Sequence, residues 1–450
     1  MKKIVVIGGS AAGAKFSAKC KRLLPDSSIQ LFTEENLISY SSCGLPYYIE
    51  GIIDDINKLI IRTPDDFRQA GIEVYTNHKC SKIIKEKKIV IINNKEIPYD
   101  ELILATGSIP KILHIKNSNL NNVFTLKNIR DGYFIKEKLK TSKRMVIIGG
   151  GYIALELLEA FRANNMEVFM IESKTRIMSD FDTDFSLTLE SHILNDSSDL
   201  IHIIKNTTVL EILGEKQFEG VLLSNGEKIM ADFCVLATGV EPNTELAKSA
   251  GIKLGHTGAI KVNCKMRTSE PNIWAIGDCT EKHCQITKIP VYAPSGSTAN
   301  KEGRLCAINI AGGNEIFKGV LCSSVTKYFD FTIARVGLTL EKALEFAKII
   351  DIEPIEATVV KSDRAGYMPK SQEIMVRLVV DRRTREILGA QAAGLGDADK
   401  RVNVIVASIN SNLTIDDFIN LDLTYAPPYG IPIDSLLECA YKIKKEIETN

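Results

Sequence analysis

A strand, a glycine turn and a helix follow one another twice along this chain. Residues 3–13 read KIVVIGGSAAG and residues 145–156 read MVIIGGGYIALE, so apolar, β-branched residues precede the glycines in both segments. Further along the chain, each segment is followed by another apolar strand that ends in an ATG turn, at 105–107 and 237–239. A strand-glycine-helix unit of this kind binds a dinucleotide on its turn. The repeat therefore predicts two Rossmann-like nucleotide-binding domains.

The order of these motifs predicts that one domain interrupts the other. The second loop and turn follow the first pair, and the first domain resumes at IWAIGD, residues 273–278. We expect a first nucleotide domain at 1–113 and 241–318, with a second at 114–240 inserted in it. Strands such as EIMVRLVVD and a helical LEKALEFAK indicate a third, α+β domain at 319–450. The expected fold class is α/β with a C-terminal α+β domain.

Composition excludes several classes of protein. The chain has 56 basic and 56 acidic residues, so we expect neither a nucleic acid nor an anionic membrane as a partner. Glu156 and Glu159 interrupt the most apolar stretch, and no membrane span is expected. Ten cysteines without a CxxC pair indicate reduced thiols. These features predict a soluble, cytoplasmic protein.

In the first loop, Gly8, Ser10 and Gly13 occupy the positions of the three glycines of a dinucleotide-binding turn. Such a turn lets a pyrophosphate approach the backbone, and the helix N-terminus stabilises its charge. Ser10 replaces the middle glycine, so the interpretation depends on the repeat as a whole. The second strand, SIQLF, is followed by Thr33 and Glu34. Glu34 is the candidate partner for an adenosine ribose.

The second loop matches the pattern better, because residues 149–154 read GGGYIA. The strand EVFMI ends just before Glu172, 23 residues after the first of these glycines. A carboxylate at this point accepts a hydrogen bond from the 2'-hydroxyl of NADH and repels the 2'-phosphate of NADPH. NADH is therefore the expected donor and NADPH the less favoured one. Lys174 and Arg176 are interpreted as solvated loop charges.

Cys43 lies in the polar, turn-rich segment LISYSSCGLPYYIEG, at the start of a possible helix. A lone cysteine is usually a small buried hydrophobe, which is our interpretation of the other nine. At a helix N-terminus beside a redox cofactor, however, a thiolate is favoured, and redox chemistry needs a thiolate. Tyr48 stands five residues further on, where a disulfide partner would be sought. Cys43 thus has no local resolving thiol in the sequence.

Asp278 follows the strand in IWAIGD and precedes a loop, where a carboxylate can accept a hydrogen bond from a ribityl hydroxyl of a flavin. Alone it would be an ordinary turn aspartate. The segment STANKEGRLCAINIAGG that follows is typical of a helix whose N-terminus would face the flavin ring. His283 and Cys284 have no accompanying ligand cluster, so we interpret them as solvated loop residues and predict no metal site.

Together these residues resemble the pyridine nucleotide-disulfide oxidoreductases over essentially the whole chain. Within them the chain is similar to the single-cysteine branch, which includes coenzyme A-disulfide reductase, NADH oxidase, NADH peroxidase and persulfide reductase. ISYSSCGLPYY resembles the signature around the catalytic cysteine of the coenzyme A-disulfide reductases. The first loop has Ser10-Ala11-Ala12 where the oxidases and peroxidases usually carry a histidine. The resemblance implies FAD and NADH as cofactors.

The resemblance also implies a role for each matching residue. FAD would be held by Gly8, Gly9, Ser10, Ala12, Gly13, Glu34, Cys80, Ala105, Thr106, Gly107, Gly277, Asp278 and Ala299. The nicotinamide nucleotide would be held by Gly149, Gly150, Gly151, Tyr152 as a gate, Ile153, Glu172 and Gly239. The substrate would contact Lys19, Arg22, Ser39 and Ser42. The catalytic residues would be Cys43 and, reaching it from the C-terminal domain of the partner in a homodimer, Tyr367 and Tyr425.

The function implied is the NADH-driven reduction of a low-molecular-weight disulfide, with coenzyme A disulfide as the expected substrate. Three departures from the family pattern weigh against coenzyme A. Ile433 stands where a lysine usually precedes Asp434, Thr33 stands where a glutamate is usual, and Ser42 replaces an asparagine. Four alternatives stay open: NADH oxidase or NADH peroxidase cycling through a Cys43 sulfenic acid, persulfide reductase, and a redox-sensing flavoprotein without turnover.

Overall fold

A computed structural model of the chain describes residues 1–113, 115–197 and 199–449. The strands are β1 (Lys3–Ile7), β2 (Ser28–Phe32), β3 (Glu73–Tyr75), β4 (Cys80–Ile84), β5 (Ile89–Ile92), β6 (Lys95–Pro98), β7 (Glu101–Leu104), β8 (Ser108–Pro110), β9 (Val123–Phe124), β10 (Arg144–Ile148), β11 (Glu167–Ile171), β12 (Ile201–Ile204), β13 (Val209–Leu213), β14 (Gly220–Leu223), β15 (Lys228–Met230), β16 (Phe233–Leu236), β17 (Val240–Pro242), β18 (Ile273–Ala275), β19 (Lys282–His283), β20 (Pro290–Val291), β21 (Ser324–Tyr328), β22 (Phe331–Gly337), β23 (Pro354–Ser362), β24 (Glu373–Asp381) and β25 (Ile387–Gly394). The helices are α1 (Ala11–Leu23), α2 (Leu45–Glu50), α3 (Pro64–Gln69), α4 (Ile129–Leu139), α5 (Tyr152–Ala163), α6 (Thr183–Ser197), α7 (Glu245–Ser249), α8 (Gly296–Ile310), α9 (Leu340–Phe346), α10 (Ala398–Asn410), α11 (Ile415–Phe418) and α12 (Ser435–Thr449).

The chain forms two compact units, each built from three stretches of sequence. The first unit contains Met1–Lys111, Lys127–Phe134 and Gly239–Val320. The second contains the described residues of Ile112–Leu126, Ile135–Thr238 and Leu321–Asn450. The domain boundaries expected from the sequence stay predictions, and the one at residue 114 lies outside the described residues.

A five-stranded parallel sheet forms the centre of the first unit, in the order β18-β7-β1-β2-β3. The apolar runs IVVI of β1 and LIL of β7 are buried, as expected for parallel strands covered on both faces. Phe16 on α1 and Cys306 on α8 belong to one buried cluster with the sheet. The carboxyl ends of β1, β7 and β18 lie at one edge, which is where a doubly wound sheet binds its ligand.

The second unit repeats this arrangement in a parallel sheet of order β12-β11-β10-β16-β9. In each sheet the strand before the glycine loop is central, with the next strand on one side and the strand before the ATG turn on the other. A separate antiparallel sheet, in the order β21-β22-β25-β24-β23, forms the C-terminal part. The predicted fold class is therefore confirmed. Among the described helices, none has both the length and the apolar character needed to cross a bilayer.

Candidate functional site

Gly8 turns the chain from β1 into α1 with a φ of 111°. A Cβ on Gly8 would lie 2.1 Å from the carbonyl oxygen of Ala105. A Cβ on Gly13 would lie 1.9 Å from the carbonyl oxygen of Gly8. Only glycine fits at either place. Ser10, the N-cap residue of α1, makes no side-chain capping bond, and the first turn of α1 carries no acidic residue. This geometry fits a pyrophosphate such as that of FAD.

Asp278 lies in the short 3-10 turn Gly277–Cys279 that follows β18. Its Oδ1 accepts a hydrogen bond from the backbone N–H of Ser295 at 3.0 Å, and its Oδ2 accepts from the hydroxyl of Ser108 at 3.4 Å. Nζ of Lys127 donates to the same Ser108 hydroxyl at 2.8 Å. The Asp278 carboxylate is thus held beside the carboxyl end of the sheet, as the ribityl interpretation requires.

Cys80, also predicted to hold FAD, starts β4 in the separate sheet β4-β5-β6, and its role stays a prediction. Seven further residues predicted to hold FAD flank the same edge of the parallel sheet. They are Gly9, Ala12, Ala105, Thr106, Gly107, Gly277 and Ala299. A Cβ on Gly277 would lie 2.9 Å from that of Ala12 and 3.7 Å from that of Ala299. The turn after β18 therefore packs directly against α1 and α8, and the residues present fit the cofactor that the resemblance implies.

A buried ion pair lies behind the turn that carries Asp278. The side chains of Lys282 and Glu302 are each 1% exposed, and Lys282 Nζ lies 3.3 Å from Glu302 Oε1. Lys282 donates to the carbonyl oxygen of Gly277 at 2.8 Å, and the N–H of Gly277 donates to Glu302 at 2.6 Å. Burial raises the pKa of the Glu302 carboxyl, although Lys282 opposes the change. The pair therefore binds both backbone polar groups of the residue before Asp278.

Glu34, the predicted ribose partner, is exposed. Its Oε2 forms an ion pair with Nζ of Lys79 at 3.1 Å. In both Rossmann-like sheets, the first glycine of the loop donates its N–H to the last residue of the neighbouring strand. This register makes Thr33 the counterpart of Glu172, so Glu34 lies one residue further along. The role of Glu34 stays a prediction.

Cys43 is one of two exposed cysteines among the ten, and it lies in the 3-10 turn Ser42–Gly44 directly before α2. The environment of other thiols differs. Burial raises the pKa of the Cys20 and Cys439 thiols to about 12. It also raises the pKa of Cys80, at the start of β4, to about 11. Those three thiols stay protonated at neutral pH and are poor nucleophiles, whereas Cys43 is accessible.

Two cysteines differ from what the sequence suggested. Cys264, expected to be buried, is exposed, because it lies in a surface turn that the side chain of Asn263 closes by accepting two backbone hydrogen bonds. Cys284 is buried, as expected of a lone cysteine but not of a solvated loop residue, because its backbone pairs with Val320. His283 is exposed as expected.

The second glycine loop has the same geometry as the first. Gly149 has a φ of 121°, and a Cβ on it would lie 2.3 Å from the carbonyl oxygen of Ala237. Glu172 follows β11, and its Oε1 accepts from the N–H of Lys174 at 2.8 Å. A Cβ on Gly150 would lie 2.9 Å from Oε2 of Glu172. The carboxylate therefore lies against the glycine loop, as a ribose-binding carboxylate should.

The remaining residues predicted to hold the nicotinamide nucleotide divide between the units. Gly151 caps α5, while Tyr152 and Ile153 begin it, and all three belong to the second unit. Gly239 belongs to the first unit. The structure thus brings together the loop residues and Glu172 within the second unit, and the role of Gly239 stays a prediction.

Tyr152, the predicted gate, makes specific contacts through its hydroxyl. The hydroxyl shares a 2.6 Å hydrogen bond with that of Ser324 and accepts from Nε of Arg335 at 3.5 Å. Ser324 and Arg335 are cross-strand partners on β21 and β22. The antiparallel sheet therefore fixes the orientation of the Tyr152 ring, and the gating role itself stays a prediction.

Arg176 is not the solvated loop charge that the sequence suggested. Only 18% of its side chain is exposed, and it forms an ion pair with Glu341 at the start of α9. It also donates to the carbonyl oxygen of Phe181 at 3.1 Å. The prediction failed because the partner comes from a segment far away in sequence. Lys174 lies at the surface, where it donates to Ser179 at 2.7 Å.

A cleft of about 320 Å³ opens on the first unit beside α1. Three basic side chains line it, those of Lys21, Arg22 and Arg62, and its apolar wall includes Phe67 and Ile72. Cationic and apolar groups side by side suit a nucleotide with phosphates. Of the four predicted substrate residues, Arg22 lines the cleft, whereas Lys19, Ser39 and Ser42 do not. Lys21 and Arg62 were missed, because isolated basic residues carry no motif.

The two predicted catalytic tyrosines are prominent on the surface of the second unit. Tyr367 is 77% exposed and Tyr425 is 49% exposed, and Tyr429 nearby in sequence is 73% exposed. The segments that carry them are joined, because the N–H of Ala365 donates to the carbonyl oxygen of Pro427 at 3.2 Å. Large exposed aromatic side chains of this kind are typical of an interaction surface.

Comparison with known proteins identifies relatives over the whole chain. A family model described as pyridine nucleotide-disulphide oxidoreductase matches residues 2–299, and the dimerisation domain of that family matches 323–432. The chain is 35% identical to the NAD(P)H coenzyme A polysulfide/persulfide reductase of Pyrococcus horikoshii, over 98% of each chain. It is 31% identical to the coenzyme A disulfide reductase of Staphylococcus haemolyticus, over 99% and 100% of the two chains. The NADH-bound structure of the water-forming NADH oxidase of Lactobacillus brevis is similar to this chain, with a TM-score of 0.93 and 26% identity. The match covers 100% of this chain and 99% of the oxidase chain.

Proposed function

The chain belongs to the pyridine nucleotide-disulphide oxidoreductase family, and we propose that it uses NADH to reduce coenzyme A disulfide through Cys43. The resemblance seen in the sequence is confirmed by the family models and by the relatives. The chain is accordingly an NAD(P)H-dependent flavin oxidoreductase of disulfide or sulfur substrates, and its C-terminal segment is a dimerisation domain. The donor, the substrate and the residue roles below are proposals.

The observation that carries coenzyme A as the substrate is the cleft lined by Lys21, Arg22 and Arg62. Coenzyme A has an adenine, a ribose and several phosphates, which match a cleft with both basic and apolar walls. Guanidinium groups bind phosphate with two parallel hydrogen bonds. Two relatives that carry coenzyme A in their names agree with this choice. Arg22 is the residue that the sequence and the cleft have in common.

In the proposed reaction, the Cys43 thiolate attacks one sulfur of the disulfide. A mixed disulfide forms on Cys43, the disulfide bond of the substrate breaks, and the other half leaves as a thiolate. Tyr367 and Tyr425, contributed by the partner protomer of a homodimer, donate the proton that this leaving thiolate takes up. When FAD is bound, it supplies the two-electron transfer from the nicotinamide to sulfur that frees Cys43 and the second thiol. Gly8, Gly13 and Asp278 would hold it.

A second candidate is the reduction of peroxide or oxygen. In it the Cys43 thiolate attacks hydrogen peroxide, the O–O bond breaks, hydroxide leaves and a sulfenic acid forms, which two electrons from NADH return to the thiolate with release of water. Oxygen would first take two electrons from NADH to become hydrogen peroxide. Ile433 favours this candidate, because it is 51% exposed and apolar where a lysine would anchor a phosphate. We rank it second, because the loss of one exposed charge typically changes affinity by only about 1 kcal/mol.

Replacing Arg22 by Met tests the substrate. We expect KM for coenzyme A disulfide to rise by roughly fivefold, since Arg22 is exposed and the loss of one exposed charge typically costs about 1 kcal/mol. KM for pantethine, which has the same disulfide without the nucleotide, is expected to stay within twofold of the wild-type value. Steady-state NADH oxidation with each acceptor measures both constants.

The matched control is Arg304→Met, which removes an exposed arginine of the first unit that pairs with Glu315. It is expected to leave both KM values unchanged. If the wild type prefers hydrogen peroxide or oxygen to coenzyme A disulfide by a wide margin, the function is that of the second candidate. If Arg22→Met affects pantethine equally, the cleft does not bind the nucleotide.

Replacing Glu172 by Ser tests the donor. We expect the wild type to use NADH with a kcat/KM on the order of 10²-fold above that for NADPH, because the carboxylate lies where the 2'-phosphate would bind. Glu172→Ser is expected to narrow this ratio mainly by raising the efficiency with NADPH. Initial rates with both donors at one fixed concentration of disulfide give the two efficiencies.

Glu167→Ser is the control for this measurement, because Glu167 starts the same strand, β11, and pairs with Arg144 instead of approaching the glycine loop. Its NADH to NADPH ratio should equal that of the wild type. A wild type that uses both donors equally well would refute the assignment of Glu172.

A further inference from the structure

Arg401 on α10 is a buried arginine that binds three separate parts of the C-terminal domain. Its side chain is 6% exposed, and its Nε donates to Oδ2 of Asp434 at 3.2 Å. Nη2 donates to the backbone carbonyl oxygen of Asp363 at 2.8 Å. Nη1 donates to the carbonyl oxygen of Asp397, just before α10, at 3.0 Å. One guanidinium therefore links α10 to two other segments.

The first of these segments, residues 363–372, connects β23 to β24 and carries Tyr367. Its ends are joined, because the N–H of Asp363 donates to the carbonyl of Gln372 at 2.8 Å and the N–H of Gln372 donates to Oδ1 of Asp363 at 3.0 Å. Arg401 binds the segment at this closing point. The position of Tyr367 therefore depends on where Arg401 holds Asp363.

The second segment lies between α11 and α12 and carries Tyr425. It ends at Asp434, whose Oδ1 accepts from the N–H of Leu436 in the first turn of α12. Arg401 binds the other carboxylate oxygen of Asp434. Asp434 therefore binds the first turn of α12 through one carboxylate oxygen and Arg401 through the other, so Arg401 anchors this segment at its junction with α12.

Both segments lack helix and strand over most of their length, and such segments hold a side chain less accurately than a helix or strand does. The Ala365 to Pro427 hydrogen bond joins them near the tyrosines. Arg401 joins them a second time at their bases. The planar guanidinium binds several acceptors in a fixed geometry, which an ammonium group does not reproduce.

We propose that Arg401 is a positioning residue for the disulfide step, because it fixes the Tyr367 and Tyr425 segments relative to each other. This inference rests on the proposed function, in which the two tyrosines give a proton to the leaving thiolate. Arg401 itself touches neither the substrate nor a cofactor in this account. Its effect is therefore confined to steps that use the tyrosine hydroxyls.

Arg401→Lys and Asp434→Asn in the holoenzyme test the inference. Each retains a polar group but weakens the link, and we expect disulfide reduction to slow by roughly tenfold or more, since a misplacement of about 1 Å can cost up to 10²-fold. NADH oxidation with ferricyanide, which accepts electrons without a proton donor, should be unchanged. Lys400→Met, which removes an exposed cation from the adjacent position of α10, is the control and should leave both rates unchanged.

A double-variant comparison separates positioning from general destabilisation. In a background carrying Tyr367→Phe and Tyr425→Phe, Arg401→Lys should lower the rate of disulfide reduction by less than twofold, because the hydroxyls through which Arg401 acts are gone. The inference is overturned if Arg401→Lys slows disulfide reduction as much in this background as in the wild type. It is also overturned if Arg401→Lys slows ferricyanide reduction to the same extent.

Hydrogen exchange provides a readout that does not depend on the substrate. Exchange of the backbone amides in residues 363–372 and 422–434 should be faster in Arg401→Lys and unchanged in Lys400→Met. If the wild type reduces no disulfide, the proposed function fails, and this measurement alone decides whether Arg401 holds the two segments. Unchanged exchange in Arg401→Lys overturns the inference whatever the substrate is.

Discussion

Cys43→Ser is expected to abolish NADH-driven disulfide reduction, with a loss of at least about 10³-fold, while FAD stays bound and NADH still reduces it. A serine hydroxyl is not ionised near neutral pH, whereas a cysteine thiolate forms readily and is a strong nucleophile. The variant keeps the turn before α2, because Ser and Cys have nearly the same shape. Stopped-flow absorbance of the flavin separates its reduction by NADH from its reoxidation by the disulfide.

Cys264→Ser is the matched control, because Cys264 is the other exposed cysteine of the chain and lies in no predicted motif. It should keep full activity. Intact mass without reductant adds an independent measurement: the substrate adduct should be present in wild type and Cys264→Ser, and absent in Cys43→Ser. Disulfide turnover by Cys43→Ser would remove Cys43 from the mechanism.

The parts of the site that were predictable are those that local backbone geometry requires. Gly8 and Gly149 follow strands and adopt positive φ angles against the ATG turns, so their identity is visible as a repeat in the sequence. The position of Cys43 directly before a helix was predictable for a similar reason, because the turn-rich segment around it marks the N-terminus of α2, while its role stays a prediction. In these cases a few adjacent residues contain the whole physical cause, and the pattern alone is sufficient.

The residues that were missed depend on contacts between distant segments. Lys127 belongs to no motif and lies 19 residues after Ser108, yet it binds the Ser108 hydroxyl beside Asp278. Arg176 was misinterpreted because Glu341 lies 165 residues away. Such pairs leave no local signal, since a basic residue in a loop has the same sequence neighbourhood whether it is solvated or paired. The fold itself is needed to find them.

Lys282→Met is expected to destabilise the protein by about 3–5 kcal/mol, because it leaves the buried carboxylate of Glu302 without its cation. It also removes a hydrogen bond to the carbonyl of Gly277, so the turn that carries Asp278 should bind FAD more weakly. Trp274, the single tryptophan, is buried on the strand just before this turn. Its fluorescence during urea unfolding reports the change in free energy of unfolding.

The pH dependence of this loss follows from the carboxyl of Glu302. Burial already raises its pKa in the wild type, and removal of Lys282 raises it further. A carboxyl whose pKa is higher in the folded state binds more protons there than in the unfolded chain, so its contribution to stability falls as pH rises. The pKa of this carboxyl in the unfolded chain is about 4.3. The loss in free energy of unfolding caused by Lys282→Met should therefore be smaller near pH 5 than near pH 8.

Two further variants distinguish the buried pair from an ordinary surface one. Lys85→Met removes the cation of a partly exposed pair with Glu270 in the same unit, and it should cost less than about 1 kcal/mol. Combining Lys282→Met with Glu302→Gln should recover most of the loss, because a neutral amide oxygen can still accept from the N–H of Gly277 without a buried charge. If the double variant is as unstable as Lys282→Met, the cause is lost packing of the lysine side chain rather than the unpaired carboxylate.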